Sequence, residues 1–268
     1  MDRMFLKQMK KLDRKEDTIL NPKDNPLLQN KILPFVDKIQ KKVPEKLSAT
    51  LEAAFYKSFK LFFEKGNEYI EKTYNKEEKQ FEFEINDYAI QRKFNNKSVK
   101  RLDKPANYSN TINTSFSVLE GSVLGVLGIG LPDIPILISL MIKTINEVAL
   151  CYGFNYNTPA EKAYILMLIR GALTKEEKQK EVNKEIDSFG YKTDHQIYTD
   201  IDLEEQMKLT SSVLSNSLLT AKFIQGIPII GAVGGIVNYN VIQKVGRYSK
   251  LKYKKRYLLK KFGSENKN

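Results

Sequence analysis

Cysteine, histidine and tryptophan are almost missing from this chain of 268 residues, which has Cys151, His195 and no Trp. That scarcity excludes a disulfide framework, a zinc finger, a paired-cysteine redox motif and a multi-histidine metal site. It leaves Cys151 with His195 as the single possible cysteine/histidine pair. Fourteen glycines and nine prolines are too few for a fibrous or low-complexity polymer. No phosphate-binding G-x-x-x-x-G-K-[ST] run occurs, and Gly125, Gly128 and Gly130 do not follow a strand as a dinucleotide fingerprint must. Gly121-Ser122-Val123-Leu124-Gly125 lacks the central serine of a nucleophile elbow. No cofactor or metal is implied and no reaction can be derived. The N-terminal MDRMFLKQMKKLDRKE has no apolar stretch of the length a secretory signal needs, so a cytoplasmic location is expected.

What is present is a globular composition, 41% hydrophobic and 28% charged, with apolar residues recurring at helical spacing. The pattern predicts an all-α fold. Leu47, Leu51, Ala54, Phe55, Ser58, Phe59, Phe62 and Phe63 form one stripe, predicting a long amphipathic helix over 44–74. Residues 77–103 are strongly charged, and Phe81-Glu82-Phe83-Glu84-Ile85 alternates as a strand would; without a partner strand it is expected to be helical or irregular. A solvent-facing helix followed by a loop through Gly190 is expected within 174–205. The expected organisation is a basic N-terminal helix and linker over 1–30, a helical domain over 31–262, and a disordered tail over 263–268.

Two apolar segments stand out, residues 116–153 and 223–243. Each contains a Gly-apolar-Pro break, Gly130-Leu131-Pro132 and Gly226-Ile227-Pro228, predicting a helix, a tight break and a second helix. Spanning a bilayer is a question of magnitude. The ten large apolar residues of the second segment supply roughly −3 to −6 kcal/mol, but its four amides cost roughly 1–2 kcal/mol each. In the first segment Asp133 would cost about 2.5–3.5 kcal/mol at the bilayer centre. An ordinary spanning helix is therefore not expected. A buried hairpin in a soluble core is favoured over partial or conditional insertion.

Asp133 is the most notable carboxylate, lying between Pro132 and Pro135 in apolar surroundings. It reads as a helix N-cap, with Pro135 in the first turn, or as a functional acid to which Glu120 or Glu147 could add a second carboxylate. Asp200 and Asp202 could hold a divalent ion with Glu204 or Glu205, but a helix N-cap followed by acids in the first turn is the favoured reading. The chain carries 44 Lys and Arg against 32 Asp and Glu, a formal charge of +12, which points to an anionic partner. Lys244, Arg247, Lys250, Lys252, Lys254, Lys255, Arg256, Lys260 and Lys261 have no acid among them and are interleaved with Tyr248, Tyr253, Tyr257, Leu258 and Leu259. If helical, that stretch is expected to be a basic surface element for anionic lipid. Nucleic acid shares the charge argument but lacks any recognisable binding motif.

Four stretches carry a resemblance to the EcsC family of bacterial proteins. Glu120-Gly121 with Gly125, then Asp133-x-Pro135, resembles the family's Gly-rich run into a D-x-P break, although GVLGIG replaces its paired glycines. Tyr152-Gly153-Phe154, then Glu161 and Tyr164-Ile165-Leu166, is similar to its YGF segment. Lys38-Ile39-Gln40-Lys41-Lys42 with Pro44-Glu45-Lys46 resembles its first long helix. Pro228 through Gly231 and Gly235, with Asn238 and Val245-Gly246, then Tyr253 and Arg256, resembles its closing motif. The resemblance implies an accessory factor of an ABC transporter; with the basic stretch, the expected role is non-enzymatic and at the inner face of the cell membrane, the alternatives being an enzyme using Asp133 or a nucleic-acid-binding protein. The resemblance carries over signature positions and no catalytic residues.

Overall fold

The computed structural model describes residues 3–21, 45–106, 133–225 and 233–263. Among them there is no strand, and the all-α expectation holds. The helices are α1 (Arg3–Leu20), α2 (Glu45–Leu61), α3 (Asn67–Glu71), α4 (Lys76–Arg92), α5 (Asn96–Asp103), α6 (Asp133–Cys151), α7 (Pro159–Leu173), α8 (Glu176–Asp194), α9 (Leu203–Gln225) and α10 (Val233–Phe262).

Local chemistry fixes many of the boundaries. Asn75, Asn95 and Thr158 cap α4, α5 and α7 by accepting from backbone amides of the first turn, and Pro159 fills the opening position of α7. Asp202 Oδ1 accepts from the Glu205 amide at 2.9 Å, so this acid caps α9, as the sequence suggested. The predicted 44–74 helix is interrupted: α2 passes into a π-helical turn, Phe62–Gly66, before α3. The alternating Phe81–Ile85 run lies inside α4, a helix.

α6 is the centre of the core. Its segment Ile134–Cys151 has a mean hydropathy of 1.7, long and apolar enough for a membrane, yet 94% of it is buried inside the protein. α10 packs along α6 and α7, α9 joins α2 to α7, and α1 lies across α10 and α8. α1 thus belongs to the helical body; the expected division near residue 30 lies outside the described residues. Around the second Gly/Pro break, helix α9 ends at Gln225 and helix α10 begins at Val233. The break itself, and the part of the first segment before Asp133, lie outside the described residues.

The C-terminus of α6 explains the Tyr-Gly-Phe run. Phe154 donates its amide to the Ala149 carbonyl at 2.9 Å, and Gly153 donates to Leu150 at 3.0 Å. This is the double-bonded Schellman cap, whose first residue past the helix must take a left-handed conformation. Gly153 has φ +77°, and a Cβ there would lie 2.3 Å from the ring of Phe83. The run marks where the buried helix stops and where α4 closes over it.

Gly190 corrects another expectation. It lies within α8, not in a loop, and a Cβ there would meet Arg256 Cδ at 2.9 Å and the Tyr164 ring at 3.2 Å. The glycine lets α8 approach α7 and α10 closely. α8 is accordingly only partly solvent-facing, with Gln179, Asn183 and Ile186 buried.

Candidate functional site

The sequence assigns anionic-surface binding to the basic stretch of α10, and the structure sorts that stretch into two groups. Lys252 is fully buried; its ammonium donates to Glu16 Oε1 at 2.5 Å and Asp187 Oδ1 at 2.6 Å. Lys255 completes a four-charge ring, donating to the other oxygens of the same two acids at 3.1 and 2.7 Å. Lys254 donates to Asp103 Oδ2 at 2.6 Å, Lys250 to the Asp103 carbonyl at 2.8 Å, and Lys261 pairs with Asp87. Lys244, Arg247 and Lys260 remain exposed. The solvent-facing basic element expected over 244–261 is therefore corrected. Acids from α1, α4, α5 and α8 consume most of its charge, because α10 runs through the body of the protein.

Arg256 is the most enclosed of these bases. Its guanidinium bonds Glu161 at 2.6 and 3.1 Å and Asp194 at 2.7 and 2.9 Å. The rings of Phe154 and Tyr164 face it at 4.4 and 4.3 Å, and Tyr253 donates its hydroxyl to Glu161 at 3.1 Å. Residues that resemblance picked out far apart in sequence thus meet at one point. The cavity beside this knot is about 30 Å³, room for a water rather than a substrate. A planar cation satisfied by two carboxylates and flanked by aromatic faces is a structural tie among α7, α8 and α10.

The remaining predicted positions separate. Tyr152 is buried and donates to Asp103 Oδ1 at 2.9 Å; burial and that carboxylate raise its phenol above the ordinary tyrosine range. Pro135 and Gly246 are buried in α6 and α10. Asp133, Gly235 and Asn238 are placed on helices by their backbones alone, and Glu120, Gly121, Gly125, Pro228 and Gly231 lie outside the described residues. Glu147 does not serve Asp133. It is fourteen residues along the same helix, about 21 Å away at 1.5 Å per residue, and is paired with Lys79 at 3.0 Å and Lys143 at 3.7 Å. Cys151 is buried, its thiol pushed up to about 12 by burial, whereas His195 is exposed.

The basic surface lies on α1, where sequence reasoning named no site residue. Phe5, Gln8 and Leu12 turn inward, so Arg3, Lys7, Lys10, Lys11 and Arg14 stand outward beside Leu6. These residues border an open trough of about 1000 Å³. The signal was available: a 3.6-residue apolar spacing at Phe5 and Leu12 with bases on the opposite side.

These features define an all-helical protein built on a buried apolar helix, a Schellman turn at Tyr-Gly-Phe and a carboxylate-locked arginine. The chain belongs to the EcsC protein family, whose family model matches residues 6–258. No curated protein and no solved structure matches it.

Proposed function

We propose that the protein is a non-enzymatic accessory factor that docks at an anionic membrane surface, on the cytoplasmic side, through the outer face of α1. The observation that supports this reading is the sorting of charge. Most bases of α10 are spent inside the fold, while those of α1 face outward along one side of an amphipathic helix. The apolar side of α1 is occupied by protein, since Phe5 contacts Phe262 and is buried. Docking is consequently electrostatic and peripheral, at about 1 kcal/mol per base near anionic lipid, and is screened by salt. The transporter association implied by the family resemblance makes an ABC transporter's subunits the protein partner to seek at that surface.

Vesicle flotation tests the reading. Phosphatidylglycerol vesicles should carry the protein at low salt, neutral phosphatidylcholine vesicles should not, and Lys7→Glu with Lys10→Glu should weaken flotation more than tenfold without loss of helicity. Flotation that ignores the charge reversal, or DNA binding without vesicle binding, would defeat it.

A further inference from the structure

Along the edge of α1 that faces α5 and α10 lies a cleft of about 430 Å³, which shares Lys11 and Arg14 with the outer face but not Lys7 or Lys10. Lys11, Arg14 and Lys15 of α1, Lys100 of α5 and Lys254 of α10 line it, against the single carboxylate of Asp103. That carboxylate is already occupied, by the Lys254 ammonium at 2.6 Å and the Tyr152 hydroxyl at 2.9 Å. None of the three acids of α1 lines the cleft: Glu16 bridges Lys252 and Lys255, Asp17 accepts from Asn21, and Asp13 is exposed elsewhere on the helix. Among the described residues, Lys11, Arg14, Lys15 and Lys100 have no acid at ion-pair distance.

A concave surface with an excess of four positive charges is electrostatically costly until an anion enters it. Lys254 registers that cost. Burial, with Lys15 and Lys11 acting in the same direction and Asp103 against them, holds its ammonium below the ordinary lysine range. Lys250 is held down similarly, by burial and then by Lys254 and Lys15, despite Asp103. The cleft volume falls within the roughly 300–1,000 Å³ of small-molecule pockets. Its donors are of three kinds: a planar guanidinium suited to two oxygens at once, ammonium groups acting as point charges, and the side-chain amides of Gln8 and Asn96, of which Gln8 donates to Asn96 at 3.2 Å.

The ligand that meets this set is compact, carries close to two negative charges and offers several acceptor oxygens. A phosphate monoester carries about 1.5–2 negative charges near neutral pH with three strong acceptor oxygens. A carboxylate or a phosphodiester carries one charge and neutralises less of the excess. We propose that the cleft between α1, α5 and α10 binds a phosphate monoester, supplied by a lipid headgroup or by a soluble phosphorylated compound. The lipid source rests on the membrane reading given above; the soluble source does not.

The test uses the whole protein and two variants. Lys15→Gln with Lys100→Gln empties the cleft of two exposed bases, and Lys7→Glu with Lys10→Glu alters only the outer face. Calorimetric titration with glycerol 3-phosphate probes the soluble source. Vesicles of phosphatidylcholine doped with phosphatidic acid, compared with phosphatidylglycerol vesicles of matched surface charge, probe the lipid source. The cleft variant should weaken the monoester interaction roughly tenfold per base removed and abolish any preference for phosphatidic acid while still binding phosphatidylglycerol. The outer-face variant should lose vesicle binding of both kinds and still bind glycerol 3-phosphate if the source is soluble. Glycerol phosphate binding without a phosphatidic acid preference assigns the soluble source, and the converse assigns the lipid. Equal behaviour of wild type and cleft variant in both arms, or binding in neither, overturns the proposal.

Discussion

Gly153 and Arg256 carry structural duties that their neighbours cannot take over. Left-handed backbone costs an L-residue about 1–2 kcal/mol, and at Gly153 the ring of Phe83 occupies the space a side chain would need. Gly153→Ala should therefore lower stability by at least that amount, read by chemical denaturation; a change under a few tenths would show that the cap is not constrained. Replacing Arg256 by Met strands Glu161 and Asp194, both enclosed, and breaking a buried pair by removing one partner costs about 3–5 kcal/mol. The further substitutions Glu161→Gln and Asp194→Asn should recover part of that loss, and failure to recover any would show that packing against Phe154 and Tyr164 dominates. The importance of Tyr-Gly-Phe was legible in the sequence, but its task was not, because a helix cap has meaning only once the end of α6 is known. Arg256 was legible as one base among nine and as part of the closing motif, but not as the partner of two acids. Its acids lie 95 and 62 residues away, and no local pattern announces such a pairing.

α10 shows how composition can mislead about exposure. The basic stretch 244–261 reads as a surface element, yet Tyr248, Leu251, Tyr253 and Leu258 are buried along it and the bases between them find acids on other helices. Removing the chain from Lys250 onward would thus delete core rather than an ornament. The acids give this arrangement a pH dependence. Burial alone would raise the Glu16 carboxyl, but Lys252 and Lys255 outweigh it and hold it below the ordinary carboxylate range; Lys261 and Tyr257 do the same for Asp87. A depressed carboxylate pKa contributes stability that is complete above the unfolded value, about 4, and is lost as pH falls through the lower folded value. The midpoint of denaturation should therefore be flat near neutrality and fall below about pH 4. Replacing Glu16 by Gln should flatten that acid limb, and an unchanged limb would remove the ring from the account of acid stability. Helical periodicity made α2 readable, since 3.6-residue spacing is a local property, whereas the strand-like alternation of Phe81–Ile85 concealed α4. Gly190 was misread because a glycine in a helix can record the closeness of another helix rather than a turn.

For the molecule as a whole, a formal charge of +12 says that an anion is attracted but not where. The fold supplies the location by internal neutralisation: acids of α1, α4, α5 and α8 meet the bases of α10, leaving the outward side of α1 as a basic face. The Ile134–Cys151 segment of α6 is long and apolar enough to cross a membrane and is instead the core, so contact with a bilayer need not involve insertion of that helix. Hydrogen–deuterium exchange with and without phosphatidylglycerol vesicles tests this division most directly. Amides of residues 3–20 should gain protection when vesicles are added and lose it again at high salt, while those of 244–261 should be protected beforehand and unchanged. New protection confined to 244–261, with residues 3–20 unaffected, would contradict it.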